Sequence, residues 1–207
     1  MAAKGYTTEA DIENYMLKDI DPSFSSVIDE WIEGAEETVD LITGRNFIAD
    51  AAATVRYFDG DNEKSLLIDD CVEITKVELG QDDYGGTFQE IAATGPSRYF
   101  ADPVNAIALG QPFTKLTLRA TRWTAGKQNH KITAKWGYSV EVPKAIKRAT
   151  TIIVAGIINQ NTPGGEEIKS ERIGNYQVTY NSEKGNNSVA DYEEMLRILD
   201  QYKKYYL

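Results

Sequence analysis

The chain has 207 residues, 42% of them hydrophobic and 10% aromatic, which is enough to bury a core in one domain or two small ones and excludes disorder as the default. Its longest apolar run, residues 152–158, is interrupted by Ala155 and Gly156 and falls far short of the ~20 residues that cross a bilayer, so a soluble, cytosolic chain with no secretory leader and no membrane partner is expected. The formal charge of −10 is uneven: residues 1–52 carry 3 basic and 12 acidic side chains, 53–142 carry 10 and 12, and 143–207 carry 9 and 8, which argues against a protein that grips phosphates through Lys and Arg.

Thr8 is a good N-cap, with Asp11 in the acidic position of a capping box and Ile12, Tyr15 and Met16 on one helical face. The Asp21-Pro22-Ser23 break ends that helix. A longer one is expected from Ser25 or Ser26, with Ile28, Ile32, Ala35, Val39 and Ile42 as its apolar stripe and Trp31 beside it. Asp29, Glu30, Glu33, Glu36, Glu37 and Asp40 fill the remainder. These carboxylates read either as a solvated helix face or as a surface that must pass DNA without holding it. Gly44 stands where a left-handed C-cap is wanted.

From Thr54 the apolar period changes to two, and turn residues recur every eight to twelve positions, the pattern of an all-β unit. Expected strands are 55–58, 66–68, 72–79, 88–91, 98–101, 115–119 and 130–136, separated by Gly-, Pro-, Asp- and Asn-rich turns and read as antiparallel hairpins. The single cysteine, Cys71, excludes an internal disulfide framework and reads as a small buried hydrophobe in a strand.

Helix returns at Pro143, and Ile146, Ala149, Ile152, Ile153 and Ile157 give it apolar character on more than one face, as a buried central helix requires. A polar loop around Gly164-Gly165 follows. Residues 168–180 place Tyr176, Val178 and Tyr180 at period two, in a short strand or extended arm. Ser188 with Asp191 opens a last helix carrying Tyr192, Met195, Leu196, Leu199 and Tyr202, before the tail Tyr205-Tyr206-Leu207. The fold class is therefore α+β: an antiparallel helical bundle from 1–52 and 143–207, interrupted by an inserted antiparallel β domain at 53–142, because no one helix could bury its stripe alone.

The chemistry in the sequence is sparse. A lone histidine, His130, is distant in sequence from Cys71 and gives no local support to a nucleophile–base pair, so no catalytic residues are expected. Asp59-Gly60-Asp61-Asn62-Glu63 opens like a calcium loop, but Lys64 stands where glycine is needed and Asp70 where the bidentate glutamate is needed, so it reads as a hairpin turn and no metal or cofactor is expected. Gly85-Gly86 and Gly164-Gly165 lack the context of a phosphate cradle. Lys115, Arg119, Arg122 and Trp123 form the one basic cluster with an aromatic inside it, set against ordinary edge-strand charge. Tyr84, Tyr99 and Trp123 could alternatively serve a carbohydrate- or peptide-binding module as a stacking platform.

Several segments in order resemble the head-tail connector (head-completion adaptor) proteins of long-tailed bacteriophages: residues 6–12, the run Asp40-Leu41-Ile42-Thr43-Gly44-Arg45-Asn46-Phe47, Trp136-Gly137-Tyr138 leading to Val142-Pro143, and residues 170–180. The resemblance implies a virion protein at the head-tail junction, assembled in the host cytoplasm as a ring, commonly a dodecamer, beneath the portal protein. Such a ring extends the DNA channel and offers a platform to a tail-side completion or terminator protein. It implies no enzyme activity. It gives the acidic helix a reason, since Glu30, Glu33, Glu36 and Glu37 lining a channel would repel passing double-stranded DNA. Because such adaptors engage the portal through their C-terminal region, Ile173, Tyr176, Tyr180, Tyr202, Tyr205 and Tyr206 are expected in a portal-interaction arm. A different tail-completion or decoration subunit would share the composition but not the helix-insertion-helix order.

Overall fold

The computed structural model describes residues 4–81, 86–162, 169–173, 176–180 and 189–204, with side chains at 169–173, 176–180 and 189 left aside. The fold is mixed α+β, with four helices and a six-stranded antiparallel sheet. The chain forms two compact units, Met1–Gly44 with Val142–Leu207, and Arg45–Glu141.

In the first unit, α1 (Glu9–Met16) opens on a complete capping box: the Thr8 hydroxyl accepts from the Asp11 N–H and the Asp11 carboxylate accepts from the Thr8 N–H. A short 3-10 turn, Pro22–Phe24, is capped by Asp21. Helix α2 (Ile28–Thr43) therefore begins two to three residues later than its sequence suggests, with Val27 making no side-chain cap, and it closes on Gly44 at φ 67°. Its inward face is Ile28, Ile32, Ala35 and Val39, completed by Glu36 and Thr43, whereas Ile42 is 37% exposed. At 3.6 residues per turn the buried arc has rotated towards Glu36 and Thr43, away from the position expected for Ile42.

Helix α3 (Lys144–Asn161) begins just after Pro143 and packs against α1, α2 and the last helix, α4 (Val189–Tyr202). Its buried residues span more than one face, from Ile146 and Ala149 through Thr150, Thr151, Ile152 and Val154 to Ala155 and Ile158. The two buried hydroxyls are satisfied: Thr150 donates to the Ile146 carbonyl at 3.0 Å and Thr151 to that of Lys147 at 2.8 Å. Arg148 grips Glu194 of α4 through two parallel bonds of 2.8 Å, the bidentate geometry that favours arginine over lysine. Strands β7 (Lys169–Ile173) and β8 (Tyr176–Tyr180) pair antiparallel as a separate two-stranded sheet.

In the second unit, β1 (Thr54–Gly60), β2 (Ser65–Gly80), β3 (Phe88–Glu90), β4 (Tyr99–Asp102), β5 (Phe113–Leu118) and β6 (Gly126–Trp136) form one sheet in the order β1-β6-β2-β5-β4, with β3 also pairing with β2. Residues 59–64 are consequently not a hairpin turn, because β6 lies between β1 and β2. The two segments expected at 66–68 and 72–79 are one strand. The first part of β2 pairs with β5 and the second with β6 and β3, and Cys71 stands opposite both Phe113 and Trp136, where the registers shift. The core gathers Cys71, Val77, Leu116, Leu118, Trp123, Ile132, Ala134 and Trp136. Truncating either tryptophan would cost ~3–5 kcal/mol.

Residues 45–52, expected with the helices, are held to the β unit by the backbone. The Tyr138 N–H donates to the Asn46 carbonyl at 2.8 Å, the Ala49 N–H to that of Ser139 at 2.9 Å, and the Asp50 N–H to that of Trp136 at 2.7 Å. Gly137 is required there: its φ is +135°, and an added Cβ would lie 2.5 Å from the Ile48 carbonyl oxygen.

Candidate assembly surfaces

Helix α2 presents a carboxylate stripe directly opposite its buried arc. Glu30 and Glu37 are exposed and Glu33 half-exposed; Leu41, one turn beyond Glu37, is 85% exposed. Glu36 does not share this face. It is 1% exposed, and its two carboxylate oxygens accept the backbone N–H groups of Lys4 at 2.6 Å and Tyr6 at 2.7 Å. Asp40 extends the same lattice, accepting from the Tyr6 hydroxyl at 2.6 Å and from the Lys4 ammonium. A carboxylate withstands burial only when charge-assisted bonds replace its water, and Glu36 obtains them from the segment ahead of α1. The expectation that Glu36 faces a channel is thus corrected: its carboxylate staples residues 4–6 to α2.

The residues expected in an interaction arm fall on β7, β8 and α4, with two outside the described residues. Ile173 ends β7, Tyr176 and Tyr180 bound β8, and Tyr202 is half-buried at the end of α4. Tyr205 and Tyr206 lie outside the described residues. On α4, Tyr192 and Leu196 are exposed one turn apart, while Met195 and Leu199 face the core. Tyr15 of α1 meets this helix: burial, then the Asp191 carboxylate, pushes its hydroxyl up to about 12, so it remains a neutral donor at physiological pH.

The β unit spends its reactive groups on structure. His130 is fully buried, with Nδ1 accepting from the Gly80 N–H at 3.2 Å and Nε2 3.0 Å from the Thr124 carbonyl, to which it donates. Neighbouring Asn129 joins the same point, donating to Thr124 at 2.8 Å and accepting from the Gly60 N–H at 3.1 Å. Close approach fixes Gly60, whose added Cβ would fall 1.9 Å from the Thr124 oxygen. Sequence reasoning missed this node, because nothing in strand periodicity signals a side chain that bonds across a loop. Burial, then the charges of Asp70 and Asp69, push the Cys71 thiol up to about 12, so it supplies no thiolate.

The proposed stacking platform is not assembled, since Trp123 is fully buried, Tyr99 half-buried, and Tyr84 outside the described residues. Several cations of the β unit are paired with carboxylates. Lys115 lies 3.7 Å from Asp102, Arg122 3.6 Å from Glu63, Lys135 2.7 Å from Glu73, and Lys76 3.0 Å from Glu78. These pairs neutralise the strand lysines locally, and exposed pairs of this kind add at most ~1 kcal/mol each. Asp59, the first carboxylate of the calcium-like run, binds Lys127 and the Gln128 N–H, and those bonds hold it below the usual carboxylate range. Among the described residues, no three His, Cys, Asp or Glu side chains are grouped to hold a metal, and no helix is long and apolar enough to cross a membrane.

The site that remains is therefore made of surfaces: an acidic helix stripe, exposed apolar positions, and a charge-paired sheet. No family model matches the chain, and no curated protein does. Solved structures that share its fold include two chains from gene transfer agent particles. A chain from the neck of an empty gene transfer agent particle, computed with C6 symmetry, is 9% identical with a TM-score of 0.57, and a chain from the virion of a native gene transfer agent particle is 11% identical with a TM-score of 0.52. In each case all of this chain and 94% of the other are covered.

Proposed function

We propose that this chain is a non-enzymatic structural subunit of a virion neck, a head-to-tail connector that assembles as a ring and needs no cofactor. The observation that carries this reading is the likeness of fold over the whole chain, both units included, to a chain from a gene transfer agent neck. Site chemistry supports it: Cys71 is buried and protonated, His130 is buried between the Gly80 N–H and the Thr124 carbonyl, and Glu36 is bonded to the backbone of residues 4 and 6. In this reading the four helices form an antiparallel bundle that builds the ring wall, docked on a portal protein on one side and on a tail-completion or terminator protein on the other. Glu30, Glu33 and Glu37 line the lumen, where carboxylates repel the phosphate backbone and let double-stranded DNA slide. Tyr202, Tyr205 and Tyr206 contribute to portal docking, as aromatic anchors do at interfaces. The β unit decorates the outer rim.

The test is negative-stain imaging of the purified chain with and without purified portal protein. Rings with an open axis, stacked coaxially on the portal, are the expected result. A chain that stays monomeric and leaves the portal bare at micromolar concentrations of both would refute the reading.

A further inference from the structure

Among the described residues, the two-stranded sheet and the six-stranded sheet each leave an edge open. A lone two-stranded ribbon is marginally stable in water, and three or more strands are needed to hold it. The β7–β8 ribbon pairs with no third strand among the described residues. Strand β1 ends the main strand order of the six-stranded sheet and, at seven residues without Pro, is longer than β4, which has four and runs straight into Pro103. Its register is continuous from Thr54 to Phe58 before the irregularity at Gly60, and its two charges are spent within the chain, Arg56 on Asp69 and Asp59 on Lys127. Free charge and Pro blunt natural edges, and over Thr54–Phe58 this edge offers neither. Val55 and Tyr57, at alternate positions of β1, are 48% and 53% exposed. Tyr176, Val178 and Tyr180 hold the alternate positions of β8, and aromatic and β-branched residues paired across strands stabilise a sheet.

We infer that the β7–β8 ribbon of one subunit adds, through β8, to the free edge of β1 in the next subunit. The inference rests on the ring reading and deepens it. Donor and acceptor are different patches of one chain, so the contact is head-to-tail, and head-to-tail contacts close into rings when the rotation permits. Six residues separate Thr162 from β7 and eight separate β8 from Val189.

Cysteine cross-linking of the full chain tests this, with Cys71 silent because it is buried. Tyr57→Cys is combined in turn with Tyr176→Cys, Val178→Cys and Tyr180→Cys, and each double variant is mildly oxidised under conditions in which it assembles. The expected product in at least one combination is a non-reducing ladder of dimers, trimers and higher multiples, absent from each single variant. Adding Val178→Pro to a Tyr176 or Tyr180 combination, or Thr179→Pro to the Val178 combination, should abolish the ladder while leaving the melting of the helices unchanged. A fast-migrating monomer, which marks pairing within one chain, overturns the inference, as does a cross-link formed only to added portal. Rings visible by microscopy without any ladder overturn it and leave the ring reading standing. A chain that never forms rings, with or without portal, removes both.

Discussion

Lowering the pH from 7.5 to 5.5 crosses the ordinary range of one side chain, since His130 is the single histidine in the sequence. Carbonyl oxygens only accept, so the bond to Thr124 fixes the proton on Nε2 and leaves Nδ1 to accept from the Gly80 N–H. A second proton on Nδ1 would face that donor, break the bond and bury a charge beside the Trp123 ring, whose centroid is 5.0 Å away. Burial accordingly lowers the pKa of His130 below 6.5, against the opposing pull of the Thr124 carbonyl and the Asp61 charge. Below about pH 6.5 the unfolded chain therefore binds more protons than the folded one. The stability conferred by the neutral ring is fully present above that value and is lost as pH falls, until the folded imidazole is itself protonated. One proton limits the slope to ~1.4 kcal/mol per pH unit.

Urea titrations at pH 7.5, 6.5 and 5.5 measure this slope. In a Trp31→Phe background the fluorescence of Trp123 and Trp136 reports the β unit, since both are buried in its core. His130→Gln should be less stable at pH 7.5, yet nearly flat across the window in which the parent declines. Equal slopes for the two proteins would refute the argument, as would an imidazole resonance of the folded protein that titrates at or above pH 6.5.

Glu36→Ala should cost ~2–3 kcal/mol, because it strands the buried Tyr6 N–H and the part-buried Lys4 N–H, whereas Glu30→Ala on the opposite face should stay within ~0.5 kcal/mol; paired thermal melts decide between a structural and a surface role. The triple variant Glu30→Gln, Glu33→Gln and Glu37→Gln should assemble as the parent does but retain duplex DNA at low salt, which gel mobility with assembled rings would detect. Unchanged mobility would remove these carboxylates from the lumen.

Local signals were readable where one residue type does one job. The Thr8–Asp11 box and the αL turn at Gly44 stand where their chemistry places them, because capping depends on three or four consecutive residues. The strands were visible from their period, but their partners were not. Period two states which residues share a face and says nothing of which strand lies alongside, so β6 between β1 and β2 had no signature. Glu36 was misplaced for a related reason: helical periodicity sorts positions by polarity, and a carboxylate bonded to the backbone of residues 4 and 6 sits on the apolar side without changing the pattern. Residues 45–52 have neither period and are ordered by bonds to 136–139, about ninety residues away, beyond the reach of any local rule.

Those same residues show what kind of information the family resemblance carries. Arg45-Asn46-Phe47 and Trp136-Gly137-Tyr138, distant in sequence, converge on one joint. Phe47 is fully buried with its ring 5.4 Å from that of Tyr138, Arg45 lies 5.4 Å from the same ring, and its guanidinium bonds Asp70 at 2.6 Å. Breaking such a pair strands a carboxylate that is 6% exposed, so the residue types are constrained by folding whatever the protein binds. These six of the residues that carry the resemblance secure the β unit where the chain enters and leaves it. The residues proposed to meet DNA and neighbouring subunits, Glu30, Glu37, Val55 and Tyr57, are exposed. Joints of this kind answer to folding, so the roles of the exposed surfaces are decided by measurements that perturb the surfaces themselves.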